Sequence, residues 1–155
     1  PEAQLDRFLF KIEIGYPTVE DEKEILLRAA KRKGDQLDDI TPVITAADIA
    51  AYKATLSEII VDEKLLGYIA EIVGQTRQDQ SIYLGASPRA SLALLNGSRA
   101  FAAIQGRDFV TPEDIQFLAS HVLKHRIILT PEKEMEGISA EEVIQQLVAK
   151  TEVPR

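Results

Sequence analysis

Gly85-Ala86-Ser87-Pro88-Arg89-Ala90 opens a long helix, and its reading decides the fold of the chain. Ser87 is a good N-cap and Pro88 suits the first helical position, while Ala90, Leu94, Gly97, Phe101 and Ile104 follow at helical spacing. Arg89 therefore falls in the first turn, where a cation opposes the helix macrodipole by about 0.3–1 kcal/mol unless an anion lies opposite. The free backbone N–H groups at that end favour phosphate in their own right. Gly97 interrupts good helix formers at about 1 kcal/mol relative to Ala, which either a close helix approach or a tolerated weak spot explains.

Outward from this helix the chain reads as mainly α. Thr18 caps a first helix with Glu20, Asp21, Glu22 and Glu24 early and Arg28, Lys31, Arg32 and Lys33 late, before Gly34. That order complements the macrodipole at both ends, so the basic cluster is read as a charge complement and not as a nucleic-acid site. Gly34 to Thr45 is a polar connection, and Thr45-Ala46-Ala47-Asp48 opens a second helix. From Asp62 a third helix carries Leu65, Leu66, Ile69, Ile72 and Val73, and residues 79–85 read as a loop.

Thr111-Pro112-Glu113-Asp114 starts a helix by the same cap-then-proline logic, with Ile115, Leu118, Val122 and Leu123 inward. Ile59-Ile60-Val61 and Ile127-Ile128-Leu129 are short enough to be strands. The tail from Pro131 holds six glutamates against three basic residues, and Ser139-Ala140-Glu141-Glu142 is a capping box before Val143, Ile144, Leu147 and Val148.

The opening stretch has a different period. Phe10, Ile12 and Ile14 alternate with Lys11 and Glu13, which predicts a half-buried strand over Phe8–Ile14, ended by Gly15-Tyr16-Pro17. A lone strand is not stable, so this one is expected to be the remnant of a sheet lying upstream.

The totals narrow the function. With 155 residues and 45% hydrophobic content the chain can bury a core. A formal charge of -7 argues against a nucleic-acid surface. The lack of Cys removes disulfides and thiolate chemistry, and the expected compartment is the cytoplasm. No apolar run is long enough to span a bilayer. His121 and His125 are four apart on a predicted helix, but no third ligand is indicated and no metal site is expected. Neither a phosphate-cradling Gly-x-x-x-x-Gly-Lys-Ser/Thr loop nor a nucleophile elbow is present.

Gly85 to Ala90 with its helix, Gly106-Arg107-Asp108-Phe109-Val110-Thr111-Pro112-Glu113-Asp114-Ile115, and His125-Arg126 together resemble the lid half of MoxR-type AAA+ ATPases. The resemblance implies a helical lid over residues 18–155, preceded by residues 1–16 from the end of the α/β core. It implies that Arg89 is the sensor 2 residue reaching the nucleotide phosphates, with Ser87 beside it at the helix start. It also implies that Arg7, in Leu5-Asp6-Arg7-Phe8, is an arginine finger acting on the nucleotide of a neighbouring subunit. Tyr16, at the strand-to-lid junction, falls where the family places adenine-contacting and hinge residues; a tyrosine packed at a domain corner reads equally well.

The implied parent uses ATP and Mg²⁺, forms a homo-oligomeric ring, expected to be a hexamer, and remodels or matures client proteins, often beside a von Willebrand factor A-type partner. The fragment alone is expected to bind no cofactor and to hydrolyse no ATP, because the phosphate loop belongs to the missing N-terminal core. On residues alone, Arg89 is also readable as a surface arginine paired with a carboxylate, and Arg7 as the partner of Asp6. The alternative function is an acidic helical adaptor that binds a partner protein without nucleotide.

Overall fold

In the computed structural model, residues 2–31 and 40–154 are described. The elements run α1 Glu2–Leu5, α2 Val19–Lys31, α3 Ala46–Leu56, α4 Glu63–Gln75, β1 Ile82–Leu84, α5 Pro88–Ile104, α6 Pro112–Leu123, β2 Ile128–Leu129, α7 Pro131–Met135 and α8 Ala140–Lys150. Two compact units result, one of Pro1–Lys11 with Ala51–Arg155 and one of Ile12–Ala50.

In the larger unit, α4, α5, α6 and α8 share one core whose fully buried members include Ile72, Leu94, Ile115, Leu123 and Ile144. Each helix begins where its cap dictates. Asp62 accepts the Lys64 amide at 2.8 Å to start α4, and Ser87 accepts the Arg89 amide at 3.2 Å to start α5. The capping box opens α8, with Glu142 accepting the Ser139 amide at 2.7 Å and Ser139 accepting the Glu142 amide at 3.2 Å.

The end of α5 is equally specified. Gly106 adopts φ +74, so that its amide donates to Ala103 and the Arg107 amide to Ala102, both at 2.9 Å, a Schellman stop. Arg107 then forks onto Asp114, with Nη1 to Oδ2 at 2.8 Å and Nη2 to Oδ1 at 2.6 Å, joining the turn after α5 to the first turn of α6. Burial pushes the Asp114 carboxyl up, but Arg107 and the Thr111 amide outweigh it and hold the group below its ordinary value.

The mainly helical class and most inward faces agree with the expectation, including Ile115, Leu118, Val122 and Leu123 on α6 and Val143, Ile144 and Leu147 on α8. Several details differ. The strand predicted over Phe8–Ile14 does not form: Ile12 and Ile14 are exposed, and among the described residues no strand lies alongside to complete a ladder. The Phe8 and Leu9 carbonyls are satisfied instead by Arg126. Residues 79–85 are not wholly a loop, because Ile82–Leu84 pairs antiparallel with the extended segment at Ile128–Leu129. Ile59-Ile60-Val61 contributes a single bridge, Ile60 to Phe109.

On α5 the apolar stripe drifts to Ser98 and Ala102, leaving Ile104 80% exposed, and on α4 Leu66 is exposed while Tyr68 is buried. Gly97 faces Leu118, whose Cδ1 would lie 3.4 Å from an added Cβ. Helices α1 and α7 are additional to those expected from the sequence.

In the smaller unit Thr18 caps α2 as expected, its hydroxyl donating to Asp21 at 2.7 Å and accepting the Asp21 amide at 3.2 Å. Thr45 and Asp48 repeat the arrangement at α3. Of the basic cluster, Arg28 and Lys31 end α2, whereas Arg32, Lys33 and Gly34 lie outside the described residues, as does the start of the polar connection.

Candidate functional site

The site starts from Gly85. A Cβ at this position would lie 2.6 Å from the Thr76 carbonyl oxygen and 2.7 Å from the Arg77 Cα, so only glycine lets the chain pass this close to the end of α4. The approach is fixed on both sides: the Ala86 amide donates to the Thr76 hydroxyl at 3.0 Å, and Arg77 Nε donates to the Ala86 carbonyl at 2.9 Å. Ala86 and Ala90 are buried, which leaves Ser87 and Arg89 at the edge of the core. The hexapeptide is thus an anchored entry to α5.

Arg89 is exposed on the first turn of α5. It lines a shallow cleft of about 390 Å³ with Asp6, Arg7, Leu9, Leu92, Ala93 and Arg126. Arg7 and Arg89, each singled out separately in the sequence, therefore line the same cleft. Neither guanidinium makes a hydrogen bond or ion pair with a described residue. Arg7 is not the partner of Asp6, the pairing that composition suggests.

Asp6 turns elsewhere. Its Oδ2 accepts the Ser87 hydroxyl at 2.8 Å, and its Oδ1 lies 3.3 Å from Arg126 Nε. Arg126 is 8% exposed and donates to four backbone carbonyls: Leu9 at 3.1 Å, Asp6 at 3.2 Å, Phe8, and Val122 near the end of α6. Burial pulls its guanidinium below the usual range, opposed by the Asp6 charge. His125 Nε2 lies 3.0 Å from the Phe8 carbonyl as well, and burial first, then Arg126 and Lys11, lower the pKa of the ring. Sequence reasoning gave Asp6 only as a partner for Arg7 and assigned no role to Arg126, which stands 120 positions from it. Only the His125-Arg126 motif pointed toward Arg126.

Ser87 is fully committed, donating to Asp6 and accepting the Arg89 amide. Tyr16 falls in the separate unit of Ile12–Ala50, where its ring is fully exposed. Three arginines against one aspartate, at the N-terminus of a 17-residue helix, make the cleft suited to an anion. Among the described residues no group of three or more His, Asp or Glu is arranged to hold a metal ion, and no helix is long and apolar enough to cross a membrane.

Comparison with known proteins matches residues 74–147 to the AAA lid domain. The chain is 41% identical over 154 residues to "Uncharacterized protein YeaC" of Bacillus subtilis, covering 99% of this chain and 48% of that protein. It is 34% identical over 164 residues to "Chaperone MoxR1" of Mycobacterium tuberculosis, covering 100% of this chain and 42% of that one. A crystal structure of a "putative ATPase" from Cytophaga hutchinsonii superposes on all of the chain with a TM-score of 0.86 at 33% identity, over 49% of its own length. The chain thus spans about half the length of the relatives it matches.

Proposed function

We propose, since this chain belongs to the MoxR-type AAA+ ATPase family, that its helical bundle is the lid that reads nucleotide phosphate through Arg89 and Arg7. The observation that supports this is the pair of guanidiniums, without a partner among the described residues, lining one cleft at the start of α5. An arginine in that position lacks the anion that would offset the macrodipole, and a phosphate supplies it. A guanidinium offers a planar, permanently charged fork that suits phosphate oxygens better than an ammonium does.

In this reading residues 1–16 close the ATPase core and residues 18–155 form the lid. Arg89 serves as sensor 2 and Arg7 as the finger, with Tyr16 at the hinge near the base. Because both arginines line the same cleft, both address the same phosphate group; a finger reaching a neighbouring subunit takes sensor 2 with it. ATP and Mg²⁺ are held chiefly by the remainder of the parent, and the nucleotide supplies the transferable phosphoryl group whose charge the two arginines neutralise. Ser87 holds the helix start that aims Arg89. The parent works as a ring of like subunits, a hexamer in this proposal, in the cytoplasm. Phosphate-dependent movement of the lid drives chaperone-like remodelling of a client, with a von Willebrand factor A-type protein as a candidate partner.

The test is steady-state ATP turnover of the full-length ring, with assembly checked for each variant. Arg7→Ala is expected to lower turnover about a thousandfold, the scale of a finger residue, and Arg89→Ala to weaken it strongly as well. The double variant should lose less than the product of the two single losses, because both act on one phosphate. Full turnover in both single variants, in intact rings, refutes the reading.

A further inference from the structure

Between Arg7 and Arg89, neither of which has an acceptor among the described residues, lies a continuous polar path. Arg7 follows Asp6; the Asp6 carboxylate takes the Ser87 hydroxyl at 2.8 Å; and the Ser87 oxygen takes the Arg89 amide at 3.2 Å. Behind this path Arg126, its side chain 2% exposed, faces the other carboxylate oxygen of Asp6 at 3.3 Å and fans its guanidinium across the carbonyls of Asp6, Phe8 and Leu9. Residues 6–9 have no ladder or helix to satisfy those carbonyls, and the turn after α6 meets them instead, chiefly through buried Arg126 and with His125 Nε2 also 3.0 Å from the Phe8 carbonyl.

We propose that Asp6, Ser87 and Arg126 are positioning residues that hold the Arg7 segment against the start of α5 and so fix the spacing of Arg7 and Arg89. The proposal rests on the reading that these two arginines contact phosphate. Its physical content is that neither arginine is placed by its own contacts. Arg89 is aimed by the cap of its helix and Arg7 by the carbonyl fan, and Asp6 locks the two supports together. An arginine is needed at 126 because its planar fork reaches several carbonyls at once, which a lysine ammonium cannot do in the same space. Phosphate held by both arginines would in turn stabilise the latch, since the same geometry serves both.

The experiment uses the full-length ring with Arg126→Lys, alone and combined with Arg7→Ala, and reads ATP turnover together with trypsin cleavage after Arg7. Arg126→Lys is expected to lower kcat about tenfold or more while KM for ATP stays within about twofold, and to add less than about twofold to the loss caused by Arg7→Ala. Cleavage after Arg7 should quicken at least about fivefold, with cleavage inside the helical bundle unchanged. If Arg126→Lys does not fold, Ser87→Ala replaces it, with Ser87→Thr restoring the hydroxyl and the wild-type rates. An equal loss of turnover with and without Arg7 overturns the proposal, as does an unchanged rate of cleavage after Arg7. Full turnover of the Arg7→Ala ring overturns the phosphate reading instead, and the cleavage arm then decides independently whether the latch holds the segment.

Discussion

Replacing Gly85 by Ala tests the anchoring of the helix that carries Arg89. The added Cβ would sit 2.6 Å from the Thr76 carbonyl oxygen, 2.7 Å from the Arg77 Cα and 2.8 Å from the Arg77 Cγ. Two of these three atoms are backbone, at the end of α4, so relief requires the loop to move away by about 1 Å, and overpacking of this kind costs about 1–3 kcal/mol. Such a shift also stretches the 3.0 Å bond from the Ala86 amide to the Thr76 hydroxyl. Both residues are buried, at 1% and 0% exposure, so water does not replace that bond, and its loss adds about 1 kcal/mol or more. The expected total is about 2–4 kcal/mol, which for a chain of this size lowers the melting temperature by about 5–15 °C. Differential scanning calorimetry of Gly85→Ala against wild type measures it. Gly67→Ala on α4 is the control, because an added Cβ there meets nothing within 4 Å, and better helix propensity should stabilise it by about 0.5–1 kcal/mol. A Gly85→Ala melting point within 2 °C of wild type, roughly the effect of half a kcal/mol, would refute the close approach.

Ser98 is fully buried on α5 with no partner for its hydroxyl among the described residues, so Ser98→Ala should raise stability by about 1 kcal/mol, read as a melting point up by about 2–4 °C; a decrease would mean that the hydroxyl is satisfied. The pH dependence should show two acid phases. His125 is held below 6.5 in the folded state, so the unfolded chain binds its proton first, and stability falls as pH drops below that value; His125→Gln should remove this phase from a plot of melting temperature against pH. Asp114 is held below 3.8, so its contribution is present above that pH and is lost as pH falls further through the folded value; Asp114→Asn should abolish the second phase at the expense of stability near neutrality.

What the sequence reveals is whatever is encoded within a few residues. The starts of α5, α6 and α8 are legible because Ser87-Pro88, Thr111-Pro112 and Ser139 through Glu142 act on neighbouring amides. Thr130-Pro131-Glu132 has the same cap-then-proline form before α7, but there the Thr130 side chain makes no cap hydrogen bond and the helix runs only five residues. Phe8–Ile14 misleads because alternation predicts which face a strand would bury, while a strand's existence depends on a neighbour elsewhere in the chain. Ile104 misleads because a four-three spacing, continued past three turns, walks off the buried face as the helix nears its Gly106 stop. The latch is the least legible part. No period or spacing links Asp6 to Arg126, and only the fold puts the carbonyls of residues 6–9 against a buried guanidinium.

The contrast between the arginines carries the functional argument further than any one of them. Arg77, Arg107 and Arg126 each have acceptors from the chain: the Ala86 carbonyl, the Asp114 carboxylate, and the carbonyls beside Asp6. They shape the bundle, and the fold itself explains why they are cations. Arg7 and Arg89 find no acceptor among the described residues, a trait shared with Arg99, whose buried Nε has no hydrogen-bond partner there; what sets them apart is that both line one cleft, and that one of them occupies a first-turn helix position that disfavours positive charge by about 0.3–1 kcal/mol. Local rules are broken mainly where function requires it, and here the break comes with a support system: glycine at 85, a cap at 87 and a buried clamp at 126. A chain that needed these two side chains only for solubility would gain nothing from holding both backbones so firmly at one cleft. A chain that must present two charges to a ligand at fixed spacing gains the preorganisation that makes the interaction strong.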